Sequence, residues 1–222
     1  MDFAIVSLLS PEEAERFLSV LSRAKFVDGK ATAAGAASQV KKNLQADRDG
    51  ADLSSLDNAL FAALRDNREF QLFAHPKRIL APTYSRYEPG MHYGAHVDGA
   101  IMGGANPLRA DLAMTLYLSA PDCYDGGELA IVSAHGEQEI KLAAGEAVVY
   151  AATSLHRVAP VTRGVRRVAV TWIQSAVRDV ALRGILYDLG KATANAETAG
   201  DAGALLLLSK CYHNLLRYAA EI

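Results

Sequence analysis

Asp111-Leu-Ala-Met-Thr-Leu-Tyr117-Leu-Ser-Ala-Pro121-Asp-Cys-Tyr-Asp-Gly126-Gly127-Glu-Leu129-Ala-Ile-Val-Ser133 reads as two short apolar segments joined by a turn rich in Pro, Asp and Gly. Each segment has the apolar, β-branched and aromatic content of a strand, and neither is long enough for an ordinary helix. The same pattern continues in both directions. Between Ile79 and Ser175, turns at Glu88-Pro-Gly90, Gly103-Gly-Ala-Asn-Pro107, Ala134-His-Gly136 and Ala143-Ala-Gly145 separate strands expected at 81–88, 93–97, 111–118, 128–133, 136–142, 147–152, 156–160 and 166–174. Short strands in this number with no helix between them exclude a βαβ fold and leave a double-sheet sandwich or jelly roll.

The flanks read differently. Residues 3–9 form a short apolar strand, and Ser10-Pro11-Glu12-Glu13 then supplies an N-cap, a proline at the first helical position and acids at the positive helix end. That helix is expected to reach about Ala24. Residues 26–39, rich in Gly, Ala and Thr, read as a loosely ordered loop, whereas Leu53, Leu56, Leu60, Phe61 and Leu64 recur at helical spacing. After Val177 the helical pattern returns twice, through Val180, Leu182, Ile185, Leu186 and Leu189 and again from Leu205 to Tyr218, with Gly190–Gly203 read as a connection. The fold class is therefore mainly β with flanking helices (α+β). Residues 1–78 are expected to pack a strand and helices on the core, 79–177 to form the jelly roll, and 178–222 to form a helical cap.

Composition limits the function classes. At 222 residues, 50% hydrophobic and 22% charged, the chain is neither disordered, collagen-like nor a coiled coil. Its 23 Lys and Arg against 25 Asp and Glu give −2, so no basic field supports binding to nucleic acid or an anionic membrane. Cys123 and Cys211 make neither a disulfide framework nor a CxxC metal site, and no stretch resembles a secretory signal or approaches the ~20 apolar residues of a spanning helix. A cytoplasmic protein is expected.

Chemistry enters with the histidines. In His96-Val97-Asp98 the two-residue period of a strand points both side chains the same way. His156 lies several strands later, where a jelly roll can return it to the same place. Two imidazoles and one carboxylate are the facial ligand set of non-haem Fe(II). An isolated HxD recurs by chance, but here Gly99 follows and the pair sits at a sheet rim. His75, His92, His135 and His213 read as surface or packing residues. Beyond His156 the chain reverses around Pro160–Gly164, bringing Arg166 back to the same level. Strand parity puts Arg166, Val168, Val170 and Trp172 on one face and Arg167, Ala169, Thr171 and Ile173 on the other. An inward arginine without a carboxylate partner calls for a bound anion.

In combination, Tyr87-Glu-Pro-Gly-Met-His-Tyr93-Gly-Ala-His96-Val-Asp98, Arg109-Ala-Asp111, Gly126-Gly127-Glu128, Ser154-Leu-His156 through Arg166, and Trp172-Ile-Gln-Ser175 resemble the PKHD-type hydroxylases. These are prolyl 4-hydroxylase-like members of the Fe(II)- and 2-oxoglutarate-dependent dioxygenases. The resemblance is strong over 79–179. It implies a double-stranded β-helix in which His96, Asp98 and His156 bind Fe(II) and Arg166 binds the distal carboxylate of 2-oxoglutarate, a role shared with Tyr117. It also implies hydroxylation of a C–H bond with release of succinate and CO2, O2 as co-substrate, and ascorbate (vitamin C) as accessory reductant. Tyr87 and Tyr93 are expected near the pocket.

Two rivals stand beside this reading: a cupin-like metal-binding or sensory module without oxygenase activity, and a hydrolytic zinc enzyme. Neither has a use for an inward Arg166. The substrate, whether small molecule or peptide, is expected to be chosen by loops 99–108 and 120–126, and the apolar C-terminal helices allow a homo-oligomer.

Overall fold

The computed structural model describes residues 3–32, 35–50, 52–133 and 136–221. Its larger sheet runs, edge to edge, through Phe3–Ser7, Glu146–Ala151, Leu112–Tyr117, Arg166–Ser175, Thr83–Tyr87, Leu44–Ala46 and Phe26–Asp28, with Pro76–Ile79 also paired to Arg166–Ser175. A smaller sheet, Gly136–Ile140, Leu129–Ser133, His156–Val158, His92–His96 and Lys41–Lys42, faces it. The molecule is a jelly roll with helices on one side.

Alternation along the central strands builds two cores at once. Ala113, Val148 and Val168 pack between the sheets, while their neighbours Met114, Val149 and Ala169 pack outward. The outward core is covered by helices Pro11–Leu21, Ser54–Asp66 and Arg68–Ala74, through Phe17, Leu60, Leu64 and Phe70, and by Tyr187 of the first C-terminal helix. Because both faces of Leu112–Tyr117 are covered, every residue in it is buried and the strand reads as a continuous apolar run. The first helix begins as its sequence predicts, with Ser10 and Glu13 in a reciprocal capping box.

Three expectations need correction. Residues 26–39 are not a loose loop: they hold the strand Phe26–Asp28, a 3-10 turn at Gly29–Thr32 and the short helix Gly35–Gln39. Gly190–Gly203 is not a connection either. Helix Val180–Ala199 runs through it and ends at Gly200, φ 70°, before a second helix at Ala202–Ala219. Gly190 is there for contact, since a Cβ would lie 2.6 Å from Leu72 Cδ2, and the surrounding alanines are strong helix formers. Finally, the expected strand 156–160 is shorter, His156–Val158, and the expected reversal around Pro160–Gly164 holds a strand of its own, Val161–Gly164, which pairs with Tyr124–Gly126. The chain after His156 therefore crosses from one sheet to the other instead of forming a hairpin. The turn assigned to His135 lies outside the described residues.

The joint between core and C-terminal helices carries a buried histidine. His75 caps helix Arg68–Ala74 in the left-handed region, φ 41°, and its ring meets that of Tyr212. Burial, reinforced by Arg183, holds its pKa down to about 4. The folded protein thus binds fewer protons than the unfolded chain below the ordinary histidine value near 6.5, so His75 contributes stability above that pH and loses it as pH falls towards 4. His75→Asn, which tolerates positive φ, should flatten the loss of stability between pH 7 and 5 by roughly 1–2 kcal/mol. Urea unfolding at the two pH values measures it, and an unchanged slope would remove His75 from the account.

Candidate metal and co-substrate site

His96 ends the strand His92–His96, and His156 begins the strand His156–Val158; the two residues are direct partners across the antiparallel ladder. Asp98 lies just past the strand end, but alternation persists: Val97 is 49% exposed while the side chains of His96, Asp98 and His156 are each buried. The Asp98 Oδ1 is 4.0 Å from His96 Nε2 and 3.9 Å from His156 Nε2. One donor from each residue falls within 4.8 Å of the others, so that a small inward movement of the side chains lets one ion with bonds of about 2.0–2.2 Å bridge all three.

The backbone orients both rings. His96 Nδ1 lies 2.8 Å from the Gly94 carbonyl oxygen, and His156 Nδ1 lies 3.0 Å from that of Ser154. A carbonyl only accepts, so each Nδ1 carries the hydrogen and each Nε2 turns a lone pair towards Asp98. Tyr93 stacks on His96 with ring centroids 3.6 Å apart, and Tyr150 meets His156 edge-on at 5.2 Å. Burial, with His156 beside it, pushes His96 down to about 4, which keeps its imidazole neutral and free to coordinate at physiological pH. Burial raises Asp98, although His156 and the Trp172 indole oppose it. The Trp172 N–H completes no hydrogen bond of its own.

These residues line a cavity of about 280 Å³ that Arg166 also lines. Arg166 is 1% exposed, its Nε has no partner, and among the described residues it has no ion pair. Its guanidinium carbon lies 5.0 Å from the Tyr87 ring centroid and 5.3 Å from that of Tyr117. Gly127, φ 70°, passes so close that a Cβ would come within 2.9 Å of the Arg166 Cδ. Parity along Arg166–Ser175 is as expected: Val168, Val170 and Trp172 join Arg166 on the cavity side, while Ala169 and Ile173 face the helices. An unpaired, dehydrated guanidinium at one end and three neutral-or-anionic donors elsewhere in the same cavity fit a metal ion together with an organic dianion.

Tyr117 sits behind Arg166. It is fully buried and donates its hydroxyl hydrogen to the Ile140 carbonyl at 2.8 Å. Tyr87 and Tyr93 line the cavity. Sequence reasoning overlooked Tyr124, whose buried hydroxyl lacks a partner and whose pKa is pushed up to about 12 by burial against the pull of Arg166. It also overlooked Thr32, Lys41, Asn43 and Gln45, which line the cavity from the N-terminal segment. Polar residues at every second position from 41 to 45 were the available signal. Of the loops expected to shape the pocket, 99–108 contributes Gly99, Ile101 and Met102, whereas the cavity wall includes none of 120–126. His92 is half-buried at the far end of its strand and His213 is exposed.

Fold and site together define a non-haem iron oxygenase, and comparison with known proteins agrees. The 2OG-Fe(II) oxygenase superfamily matches residues 82–174, and the PKHD-type hydroxylase C-terminal domain matches 181–221. A PKHD-type hydroxylase of Burkholderia ambifaria is 45% identical over 222 residues, covering 98% of each chain. One from Synechococcus is 44% identical and covers all of both. The chain belongs to the PKHD-type hydroxylases, and it is a 2-oxoglutarate-dependent hydroxylase that takes Fe(II) as cofactor and O2 and 2-oxoglutarate as co-substrates. Among solved structures, a Pseudomonas putida prolyl-4-hydroxylase superposes with TM-score 0.54 at 20% identity, covering 78% of this chain and 92% of that one. HygX from Streptomyces hygroscopicus, with nickel and 2-oxoglutarate bound, gives 0.51 at 14%, covering 77% and 81%. Both show the shared jelly-roll fold. No helix among the described residues is long and apolar enough to cross a membrane.

Proposed function

We propose that His96, Asp98 and His156 hold the Fe(II) of this hydroxylase and that Arg166, steadied by Tyr117, grips the distal carboxylate of 2-oxoglutarate. The observation that carries this is the buried guanidinium without a counter-ion in the same cavity as the three donors. A cupin-like metal store has no use for such a cation, because it repels the metal it is meant to keep.

Iron held there supplies oxygen activation coupled to decarboxylation of 2-oxoglutarate, giving succinate, CO2 and a hydroxylated C–H bond. The chain does the rest. The Gly94 and Ser154 carbonyls fix both imidazoles in one tautomer, and Tyr93 and Tyr150 hold the rings in place. Arg166 orients the co-substrate by charge-assisted hydrogen bonds. Its own position is set by flanking aromatic faces and by Tyr117, whose hydrogen is already committed to Ile140 and whose oxygen remains free to accept. The apolar walls keep bulk water away from the reacting centre.

Residues 178–222 act in this reading as a cap. Leu206, Leu207 and Tyr218, exposed on its outer helix, support a homo-oligomer, and two free cysteines support a reducing cytoplasm. The test is anaerobic titration with Fe(II) and then 2-oxoglutarate. The expected result is one iron per chain, a weak visible charge-transfer band that appears only with 2-oxoglutarate, and succinate release on admitting oxygen. Iron binding with neither band nor succinate would favour the cupin-like module.

A further inference from the structure

The N-terminal segment brings a second cation into the cavity, one for which metal and co-substrate binding leave no task. Lys41 is only 6% exposed. Its ammonium donates a 2.9 Å hydrogen bond to Thr32 Oγ1 and lies 5.1 Å from the Tyr93 ring centroid. The lysine ion pairs among the described residues belong to Lys25, Lys141 and Lys191, and none involves Lys41. A buried ammonium without a carboxylate is costly and uncommon.

Its neutral partner cannot satisfy it. The Thr32 hydroxyl has one hydrogen, which Gln45 Oε1 receives at 2.7 Å, so Thr32 accepts from Lys41 and two ammonium hydrogens remain. Asp98 and Asp28 are near enough to be felt electrostatically but neither is an ion-pair partner, and the charge of Asp98 is claimed by the metal. Burial pulls the Lys41 pKa down to about 8, the direction expected of a cation still waiting for an anion.

We propose that Lys41, supported by Thr32 and Gln45, is the specificity element of this hydroxylase and that its substrate carries a carboxylate. The proposal rests on the metal and co-substrate assignment above. The Tyr93 ring that lies under the ammonium also stacks on His96 at 3.6 Å, so the ammonium is no farther from the His96 ring than these two spacings combined. A carboxylate anchored there places carbon atoms a few bonds away beside the metal-binding set. Ile101, Met102 and Val170 line the same cavity and offer apolar contact to those carbons. Arg166 is committed to the co-substrate, which leaves the two anions with separate anchors on separate segments of the chain.

Trp172 is the sole tryptophan and lines this cavity, so its emission reports occupancy without any turnover. The protein is loaded with Zn(II) and N-oxalylglycine, an unreactive mimic of 2-oxoglutarate, and titrated with acetate and, separately, with the isosteric neutral acetamide. Acetate should change Trp172 emission saturably and acetamide should not. Lys41→Met should weaken the acetate response about tenfold or more while N-oxalylglycine affinity stays within about twofold, and Lys41→Arg should retain much of the response. The proposal is overturned by an absent acetate response, by equal responses to acetamide, by an undiminished response in Lys41→Met, or by loss of N-oxalylglycine binding in that variant. If Zn(II) and N-oxalylglycine fail to load at all, the metal and co-substrate assignment falls instead. The same titrations are then read on Arg166→Met, where Lys41 is the remaining Lys or Arg among the cavity-lining residues and the same outcomes decide.

Discussion

Alanine at His96, Asp98 or His156 should abolish stoichiometric Fe(II) binding at neutral pH, and with it succinate formation. Each substitution removes one of three donors held within 4.8 Å, and the remaining pair no longer encloses a face of the metal's coordination sphere. His92→Ala, at the opposite end of the His96 strand, should leave iron binding intact. The fold should survive, since His156 and His96 are tied to the backbone by single ring-to-carbonyl contacts, and circular dichroism separates loss of metal from loss of structure. Full iron occupancy in the His156 variant, measured after anaerobic desalting, would sink the assignment.

The second large effect is at Arg166 and has two parts of opposite sign. Arg166→Met should weaken 2-oxoglutarate by at least the ~1.5–3 kcal/mol of a hydrogen bond to a charged group, roughly tenfold or more, with iron affinity almost unchanged. The metal- and ligand-free variant should at the same time be as stable as the parent or more so, because a buried guanidinium without a counter-ion is replaced by an apolar chain of similar length. Saturating 2-oxoglutarate should raise the Tm of the parent and leave that of the variant nearly unmoved. Arg166→Lys should recover part of the affinity, keeping charge without the planar fork. Arg167→Ala, on the other face of the strand, should bind both ligands nearly normally. Calorimetric titration in which Arg167 controlled 2-oxoglutarate affinity would contradict the strand register, and indifference to both would revive the cupin-like reading.

The two buried cations differed in how readily the sequence showed them. Arg166 sits in a ten-residue strand whose parity is set by a long alternation, so its inward direction follows from its neighbours. Lys41 sits in a two-residue strand after a stretch of small residues, with Lys42 beside it pointing the other way, and local pattern cannot choose between adjacent lysines. Gly190 shows the opposite error: a local breaker signal was overridden by close contact with Leu72. Tyr124 could not be assigned by sequence because its position depends on the ladder with Val161–Gly164, a pairing of segments far apart in the chain.

Strand periodicity and turn residues were sufficient to expect a sandwich or jelly roll, to put His96 and Asp98 on one face and to set Arg166 and Arg167 on opposite faces, because each depends on the two-residue period or on short-range turn chemistry. Joining His156 and Arg166 to one site rested on the resemblance carried by the ordered motifs from Tyr87 to Ser175. Tertiary structure alone decided that His96 and His156 meet as direct ladder partners, that the chain crosses between sheets after His156, and that residues 26–46 close the cavity with Lys41 inside it. These outcomes depend on which distant segments share a sheet. Such pairings are selected by burial of whole faces across the fold, a global balance that no local stretch of sequence contains.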